Sequence, residues 1–251
     1  MPGTTTLTVT STERVSPALV RVRFRSDDLS AFAGSVDTDR YVKLVLPVDG
    51  ADVVRTYTAL EPDVDAGTLA IEFVVHGDTG VAGPWAANAQ PGDTLEVRGP
   101  GGAYAPSPDA AWHLLAGDDA AIPAIRQALA ALPDDAVAEV LVEVHDADHE
   151  VELAAPAGAT VTWVHRGSAT EGDPLVAAVR ALPWREGRVH AFVHGEAQAV
   201  MHGIRPYLLQ DRGVAREDAS ISGYWRRGRT EEGFRDWKKE LAAAEAATAL
   251  G

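Results

Sequence analysis

The chain has 251 residues, of which 46% are hydrophobic and 24% charged, a composition typical of globular proteins with one large or two modest domains. Its formal net charge of -15 argues against a broad surface for nucleic acids or for an anionic membrane. The absence of cysteine excludes disulfides, thiolate nucleophiles, iron–sulfur clusters and cysteine-ligated zinc.

The first residues, MPGTTTLTVT, have neither the basic nor the apolar region of a signal peptide. No run of the sequence approaches the ~18 apolar residues that a membrane-spanning helix needs. We therefore expect a cytoplasmic monomer that binds no nucleic acid and does not insert into a membrane.

Residues 1–105 are predicted to form a six-stranded antiparallel β-barrel. Short runs of β-branched and aromatic residues alternate with glycine, aspartate and proline. In residues 19–24 arginine falls at every second position, as on a strand with one solvated face. About six such runs in this half indicate a small barrel. Residues 77–89 interrupt the pattern and are predicted to form a glycine-rich turn followed by a short helix.

Two segments of this half carry the groups that a flavin dinucleotide needs. Arg55, Tyr57 and Thr58 lie on one strand-like run, and EFVVHGDTGVAGPWA follows at 72–86. A guanidinium binds pyrophosphate, an aromatic ring covers the flavin, and a helix N-terminus supplies N–H donors and a positive dipole. An ordinary strand with an outward arginine and a half-buried tyrosine explains the first segment alone. The two segments together favour a flavin site.

After a proline-rich linker at 106–110, residues 111–251 alternate between strand and helix patterns. Strands are predicted in WHLLAG, AEVLVEVHD, VTWVHR, VHAFVHG and ASISGYW, with helices at about 120–132, 174–182 and 196–210. This order predicts a mostly parallel sheet covered by helices. A last amphipathic helix carries Phe234, Trp237 and Leu241 on one face, which is typical of docking.

A barrel followed by an open parallel sheet creates a cleft between two domains, and ligands of such sheets bind at the carboxyl ends of the strands. Two loops fit that rule, residues 116–119 after the first strand and residues 194–196 after the fourth. Each places a glycine where a backbone must approach another group closely. Glycine also ends ordinary strands, so either loop alone has two interpretations.

Taken together, these residues resemble the siderophore-interacting proteins, flavin-dependent ferric-siderophore reductases of the ferredoxin-reductase-like superfamily. The similarity covers essentially the whole chain. It is carried by RTYT at 55–58, EFVVHG at 72–77, GVAGPWA at 80–86, PGD at 91–93, RGP at 98–100, LLAGDDAAIPAI at 114–125, VHRG at 164–167, HGEA at 194–197 and GYWRRGRTEEGF at 223–234. The most specific pair of motifs is GYWRRG with an AGD-x-x-x-x-P loop before it.

The resemblance implies that FAD is the cofactor. It assigns Arg55 to the pyrophosphate, Tyr57 to the flavin face, and Thr58 and Asp118 to the flavin edge. Further barrel contacts would come from the strand and turn after RTYT, namely Phe73, Val75, His76, Gly80, Ala82, Gly83 and Trp85. Contacts from the second domain would border the nicotinamide approach or return the C-terminal region to the cleft, namely Asp118, Ala120, Ala121, Tyr224 and Trp225.

The resemblance also implies the substrate, a ferric siderophore, and the electron path from NAD(P)H through FAD. Such a reaction needs position and electrostatics and no acid–base catalyst, and we expect no metal site of the protein's own. The substrate complex is usually anionic, so we expect it to meet Arg226, Arg227 and Arg229, with Lys43 from the barrel. The RRGR segment also fits a solvated loop. Arg166 suits either a nicotinamide 2′-phosphate or the solvent, and does not decide between NADH and NADPH.

The sequence departs from the family pattern in three places. Leu60 replaces a second arginine, Val81, Gly83 and Pro84 alter a GPAS-x-WA turn, and Ala120 replaces threonine. The loss of a cation and a hydroxyl at the phosphate end predicts weaker or differently arranged FAD binding. Two alternatives therefore stay open: a general NAD(P)H–flavin electron-transfer reductase with another acceptor, and a siderophore-binding carrier that has no flavin.

Overall fold

A computed structural model describes residues 4–76, 80–168, 173–229 and 233 of the chain. The predicted C-terminal helix with Phe234, Trp237 and Leu241 lies outside these residues. Among the residues described, no helix combines the length and the apolar character needed to cross a membrane.

Six antiparallel strands close into a barrel, as predicted. In chain order they are β1 (Thr4–Ser16), β2 (Leu19–Arg25), β3 (Tyr41–Val48), β4 (Ala51–Asp63), β5 (Thr68–Val74) and β6 (Thr94–Gly101). The order around the barrel is β1-β2-β5-β4-β3-β6, and β6 pairs with β1 to close it. The alternation within β2 places Val20, Val22 and Phe24 in the barrel core, because successive strand residues point to opposite faces.

A short helix, α1 (Ala82–Asn88), follows β5 at the predicted glycine-rich turn. Gly83 allows this helix to start directly against the barrel, since a β-carbon there would lie 2.9 Å from the carbonyl oxygen of Val74. Trp85 of the same helix packs on Phe73, with ring centroids 5.8 Å apart. The helix α1 is therefore fixed to the end of β5 by close backbone contact and by aromatic packing.

The second half forms a five-stranded parallel sheet with helices, also as predicted. Its elements are β7 (Trp112–Asp118), α2 (Ile122–Ala130), β8 (Ala138–Val144), β9 (Ala159–His165), α3 (Pro174–Ala181), β10 (Val189–Glu196) and β11 (Ala219–Trp225). The strand order is β11-β10-β7-β8-β9, so the order along the sheet reverses between β7 and β10. The carboxyl ends of these two strands form the switch point where ligands bind in open α/β sheets.

The helix predicted at 196–210 starts later than expected and has wider turns. Glu196 still belongs to β10, and its Oε2 accepts hydrogen bonds from the backbone N–H groups of Gln198 at 2.6 Å and Ala199 at 2.9 Å. The carboxylate thus caps the helix from outside it. The following turns are π-helical over Gln198–Ile204 and Tyr207–Asp211.

The two halves pack together through apolar and ionic contacts. Helix α2 contacts β4, and Leu19 of the barrel belongs to the same apolar cluster as Ile125 of α2. Nearby, Glu72 of β5 is buried; its Oε1 accepts hydrogen bonds from Arg21 and lies 3.7 Å from Nε of Arg126 in α2. A buried carboxylate shared by a barrel guanidinium and a helix guanidinium links α2 to the barrel.

Replacing Gly117 by alanine is expected to lower the free energy of unfolding by about 3 kcal/mol. A β-carbon at this position of β7 would lie 2.4 Å from Cβ of Ala121 and 2.5 Å from the carbonyl oxygen of His194. Urea unfolding measures the loss. Gly213→Ala is the control, because its β-carbon would meet nothing within 4 Å and only its φ of +66° is unfavourable, which costs about 1 kcal/mol. Equal losses in the two variants would contradict close packing at Gly117.

Candidate functional site

Asp118, the last residue of β7, joins the ends of three strands. Its Oδ2 accepts hydrogen bonds from the indole Nε1 of Trp225 at 2.8 Å and from the backbone N–H of Glu196 at 2.7 Å. Its Oδ1 accepts a third from the backbone N–H of Ala120 at 3.0 Å. The strands β7, β10 and β11 therefore end around one buried carboxylate. Two residues singled out in the sequence, Asp118 and Trp225, are in direct contact.

The environment of Asp118 changes its proton affinity. Burial raises the pKa of its carboxyl group to about 7; the nearby Asp119 charge adds to this, and the three N–H donors only partly offset it. Gly195 makes the close approach possible, because its φ is +147° and a β-carbon there would lie 2.8 Å from Oδ2 of Asp118. The glycine of the second loop is thus needed for contact and does more than end a strand.

Glu196, the last residue of β10, organises the segment after β11. Its Oε1 accepts hydrogen bonds from the backbone N–H of Arg227 at 3.0 Å and from Nη1 of Arg226 at 3.3 Å. Arg226, predicted to face the substrate, is thus ion-paired with a buried carboxylate, whereas Arg227 and Arg229 are exposed. The sequence pointed to the loop that contains Glu196 but gave this residue no role.

Tyr224 lies where the barrel half and the sheet meet. Burial raises its pKa far above the ordinary value, and the charges of Asp39 and Asp118 add to the shift. Asp39 lies between β2 and β3, whereas Asp118 ends β7. The ring of Tyr224 meets His194 edge-on at 4.9 Å between centroids, and His194 stacks on Phe192 at 3.9 Å. The hydroxyl of Tyr224 therefore remains protonated at neutral pH.

On the barrel, Arg55 and Tyr57 share one face of β4, whereas Thr58 lies on the other, because successive strand residues alternate. Tyr57 is half-buried, and its ring packs on Phe73 of β5 at 4.8 Å between centroids. Thr58 is buried, and α2 packs against the same strand. Leu60, one of the departures from the family pattern, is buried as well. Tyr57 thus packs against the barrel core, whereas Thr58 and Leu60 are buried on the opposite face of β4.

The end of β5 approaches the carboxyl edge of the sheet. Val75 is half-buried and His76 exposed, and the charge of His76 acts on Asp119, which follows β7. The backbone N–H of Val75 donates to the carbonyl oxygen of Ala18 at 2.8 Å, so this donor is used within the barrel. The predicted cofactor strand and the second domain are therefore neighbours in the fold.

The remaining predicted residues lie around this junction and on the barrel wall. Gly80 precedes α1 with φ +80°, and Ala82 begins the helix in a buried position. Ala120 is half-buried, and Ala121 is buried and donates its N–H to the carbonyl oxygen of Asp118 at 2.8 Å. Lys43 is exposed on β3, a barrel strand, whereas the arginines it was grouped with follow β11.

Three further charged residues lie at the same edge of the sheet: Asp119 after β7, Glu143 in β8 and Arg166 after β9. Nη1 of Arg166 donates to Oε1 of Glu143 at 2.8 Å, and Oε2 of Glu143 accepts from the backbone N–H of Leu175 at 3.1 Å. Asp119 is 6% exposed, and its Oδ1 has no hydrogen-bond partner in the part of the chain that the structure describes. Burial raises the pKa of Asp119, and the charge of Arg166 opposes this.

The sequence placed Asp119 within the segment 118–121 that was expected to border the nicotinamide approach, and it gave Glu143 no site role. Glu143 stands near the end of the mostly apolar run AEVLVEV, which forms β8 and has one other acid, Glu139, near its start. A lone acid at the carboxyl end of a fully buried strand is the signal that would have identified it, since buried charges need a partner. Asp119 adjoins Asp118 in the AGDD loop and was treated there as part of the turn.

Comparison with known proteins decides the family. The family model described as siderophore-interacting protein matches residues 110–228, and that described as siderophore-interacting FAD-binding domain matches residues 8–54 and 49–104. The chain belongs to the siderophore-interacting protein family. The resemblance inferred from the motifs is thereby confirmed, and the barrel half carries a FAD-binding domain of this family.

Individual relatives agree with this family. The ferric vibriobactin reductase ViuB of Vibrio cholerae is 31% identical over 88% of this chain and 89% of its own. The crystal structure of a siderophore utilization protein from T. fusca is 36% identical, with a TM-score of 0.78 over 91% of this chain and 94% of that one. The siderophore-interacting protein SipS of Aeromonas hydrophila is 28% identical, with a TM-score of 0.84 over 96% and 99%. Ferredoxin reductases below 25% identity share the architecture, which shows the fold alone.

The barrel residues of this chain fit a flavin dinucleotide. Arg55 offers a guanidinium, Tyr57 an aromatic ring beside Phe73, and both point to one side of β4. Gly83 keeps the start of α1 so close to Val74 that any side chain would collide with the backbone. A cation and a flat ring on β4, with a close-packed helix start after β5, form a set of groups suited to pyrophosphate and isoalloxazine.

Asp118→Asn is expected to flatten the pH dependence of stability. The folded pKa of about 7 lies above the ordinary 3.8, so the acid favours the folded state below about pH 4 and loses this contribution as the pH rises through 7. The free energy of unfolding of the wild type should therefore fall, relative to that of the variant, by up to a few kcal/mol over this range. Urea unfolding at several pH values measures the difference, with Asp211→Asn at an exposed site as control. Parallel curves for wild type and Asp118→Asn would show that Asp118 is ionised throughout.

Proposed function

We propose that this protein is a FAD-dependent reductase of ferric siderophores that takes its electrons from NAD(P)H. The observation that supports it best is that β4 and β5, which carry the predicted flavin groups, adjoin the switch point of the parallel sheet. There the charge of His76 lowers the pKa of Asp119, and α2 packs against β4. A donor bound at the switch point would lie beside a cofactor bound to the barrel. The name of the relative ViuB, a ferric vibriobactin reductase, points to the same acceptor.

FAD, when bound, accepts a hydride and releases electrons one at a time. The reaction balances as NAD(P)H and two iron(III) giving NAD(P)⁺, one proton and two iron(II). Iron(II) carries less charge than iron(III), so anionic oxygen donors hold it less tightly and the siderophore releases it. In this chain, Arg55 would bind the pyrophosphate and Tyr57 would cover the ring. The three N–H bonds to Asp118 would keep the strand ends in place under the cofactor.

The segment after β11 would bind the anionic iron complex. Glu196 neutralises Arg226 and holds the backbone of Arg227, so the loop has a fixed course. Arg227 and Arg229 are exposed in a protein whose net charge is -15, and they therefore form a local positive site on an acidic molecule. Lys43 would add a cation from the barrel side.

The proposal includes the division of the chain and its setting. Residues 1–105 would be the FAD domain, 106–110 the linker, and 111–251 the domain that binds the nicotinamide. The protein would act as a cytoplasmic monomer. The barrel donor set favours a flavin protein over a carrier without flavin, because a tight glycine turn and a cation beside an aromatic ring are not needed to bind a siderophore alone.

The purified protein is expected to be yellow, with absorption bands near about 370 and 450 nm from bound flavin. Arg55→Ala is expected to weaken FAD binding at least tenfold, because it removes charge-assisted hydrogen bonds to the pyrophosphate. Equilibrium dialysis against FAD measures the change. Arg23→Ala, an exposed arginine on β2 of the same barrel, is the control and should bind FAD like the wild type. A colourless protein that takes up no FAD would favour the carrier.

Charge reversal of Arg227 and Arg229 together is expected to lower kcat/KM for a ferric siderophore at least tenfold. NAD(P)H oxidation by a small neutral dye should stay within twofold, because the loop is not part of the barrel site. The assay is anaerobic, with several ferric chelates and an iron(II) trap. Arg216→Glu is the control, since Arg216 precedes β11 at the opposite edge of the sheet. Equal losses for the dye and the iron complex would favour a general electron-transfer reductase.

A further inference from the structure

The ends of β7, β8 and β9 carry a charged cluster that the proposed function leaves without a role. We call Asp119, Glu143, Asp173 and Arg166 the acidic edge. Among these four residues three carboxylates stand against one guanidinium, and the charges of Glu196 and Arg227 also act on Asp173. Glu143 binds both Arg166 and the backbone N–H of Leu175, and Asp173 binds the N–H of Val176 at the same helix start. The charges of Arg166 and Glu143 both act on Asp119.

Arg166 is the cation that would be expected to bind a phosphate here, but Glu143 already holds it. The two side chains are 21% and 7% exposed, and Nη1 of Arg166 lies 2.8 Å from Oε1 of Glu143. A phosphate that approached Arg166 would have to separate this pair and leave the buried carboxylate without its partner. Such separation is costly at low exposure.

The N-terminus of α3, a second feature that commonly binds phosphate, is also used by carboxylates of the chain. Oε2 of Glu143 accepts from the N–H of Leu175 at 3.1 Å, and Oδ1 of Asp173 accepts from the N–H of Val176 at 3.3 Å. Glu143 therefore satisfies both the arginine and the start of the helix. A phosphate at this place would meet two carboxylates in front of its donors.

Asp119 shows what the acidic edge lacks. It is 6% exposed, yet its Oδ1 has no hydrogen-bond partner within the described ranges. A buried acceptor of this kind needs a donor, and a hydroxyl group supplies one, whereas a phosphate dianion brings only acceptors and negative charge. The charges of His76 and His149 also lower the pKa of Asp119. The geometry suits a neutral ligand with hydroxyl groups.

The position of the acidic edge matches the place of a ribose in dinucleotide-binding sheets. There, an acid about 20 residues after the first strand–helix turn, at the end of the second strand, binds the 2′-hydroxyl of NAD, and an arginine accommodates the 2′-phosphate of NADP. In this sheet β8 lies next to β7, and Glu143 is the residue before its last. The chain thus has both the acid and the arginine, with the arginine neutralised by the acid.

We infer that the acidic edge makes this protein a user of NADH and a poor user of NADPH, with the adenosine ribose hydroxyls bound by Asp119 and Glu143. The inference rests on the proposed function, because it names which nicotinamide serves the same site. Glu143 and Asp119 are then specificity-determining residues, and the ion pair with Glu143 keeps Arg166 from binding a 2′-phosphate.

The test compares the two donors on the flavin-loaded wild type and on Glu143→Gln at pH 8, above the ordinary titration range of histidine. We expect the wild-type kcat/KM for NADH to exceed that for NADPH at least about tenfold. The variant should lower this ratio about tenfold, because it frees Arg166 while its amide oxygen still accepts from Leu175. Calorimetry with ADP-ribose and 2′-phospho-ADP-ribose measures the same preference without any redox step.

Glu139→Gln is a closely matched control. Glu139 lies on the same strand, is also buried, and also binds an arginine, with Oε1 accepting from Nε of Arg185 at 2.8 Å. It lies near the other end of β8, so this variant should keep the wild-type ratio. In Glu143→Gln/Arg166→Ser the gain in NADPH use should disappear again. If Glu143→Gln does not fold, Asp119→Asn replaces it in the test, because it breaks no bond to Oδ1 among the described residues. This variant should also lower the ratio of the kcat/KM for NADH to that for NADPH.

A wild type that prefers NADPH, or a ratio that Glu143→Gln changes no more than Glu139→Gln does, would overturn the inference and leave the proposed function standing. Failure of both dinucleotides to reduce the flavin and of both fragments to bind would overturn the inference and remove the nicotinamide from the proposed function. Iron(II) release by protein reduced chemically with dithionite then shows whether the siderophore part of that function survives.

Discussion

The carboxyl edge of the sheet depends on one buried carboxylate at the point where three parallel strands end. Parallel strands leave their last backbone N–H groups without sheet partners, and Asp118 accepts from the one at Glu196 and from the indole of Trp225. Because water is excluded, each of these bonds is costly to lose. The same burial raises the pKa of Asp118 to about 7, so the strand ends are held by a group whose ionisation opposes its own burial.

Carboxylates at strand ends control the cations of the second domain. Glu196 pairs with Arg226, Glu143 with Arg166, and Glu139 with Arg185. An arginine near a ligand cleft is therefore not automatically a ligand-binding group, because a buried acid beside it must have its charge compensated. Arg226 is paired with the buried Glu196, whereas Arg227 and Arg229 of the same motif are exposed to solvent.

Much of the architecture was predictable from local patterns. Alternation in β2 and the apolar runs of β7, β8 and β10 identified strands, because side-chain period and strand burial are local properties. The helix that begins at Gln198 was predicted to begin at residue 196, since nothing in the local pattern shows that the Glu196 side chain caps it from the strand. The contact between Asp118 and Trp225 spans 107 positions and follows only from the order of strands in the sheet.

The sequence by itself determined the two-part fold, the flavin motif around Arg55 and Tyr57, and the family, since each depends on short segments whose residues act together. Only the tertiary structure decided how the charges are paired. Glu143 and Arg166 lie 23 positions apart and meet because β8 and β9 are neighbours in parallel register. Whether a charged group binds a ligand or another side chain depends on distance and burial, and both are set by packing between segments that the sequence keeps apart.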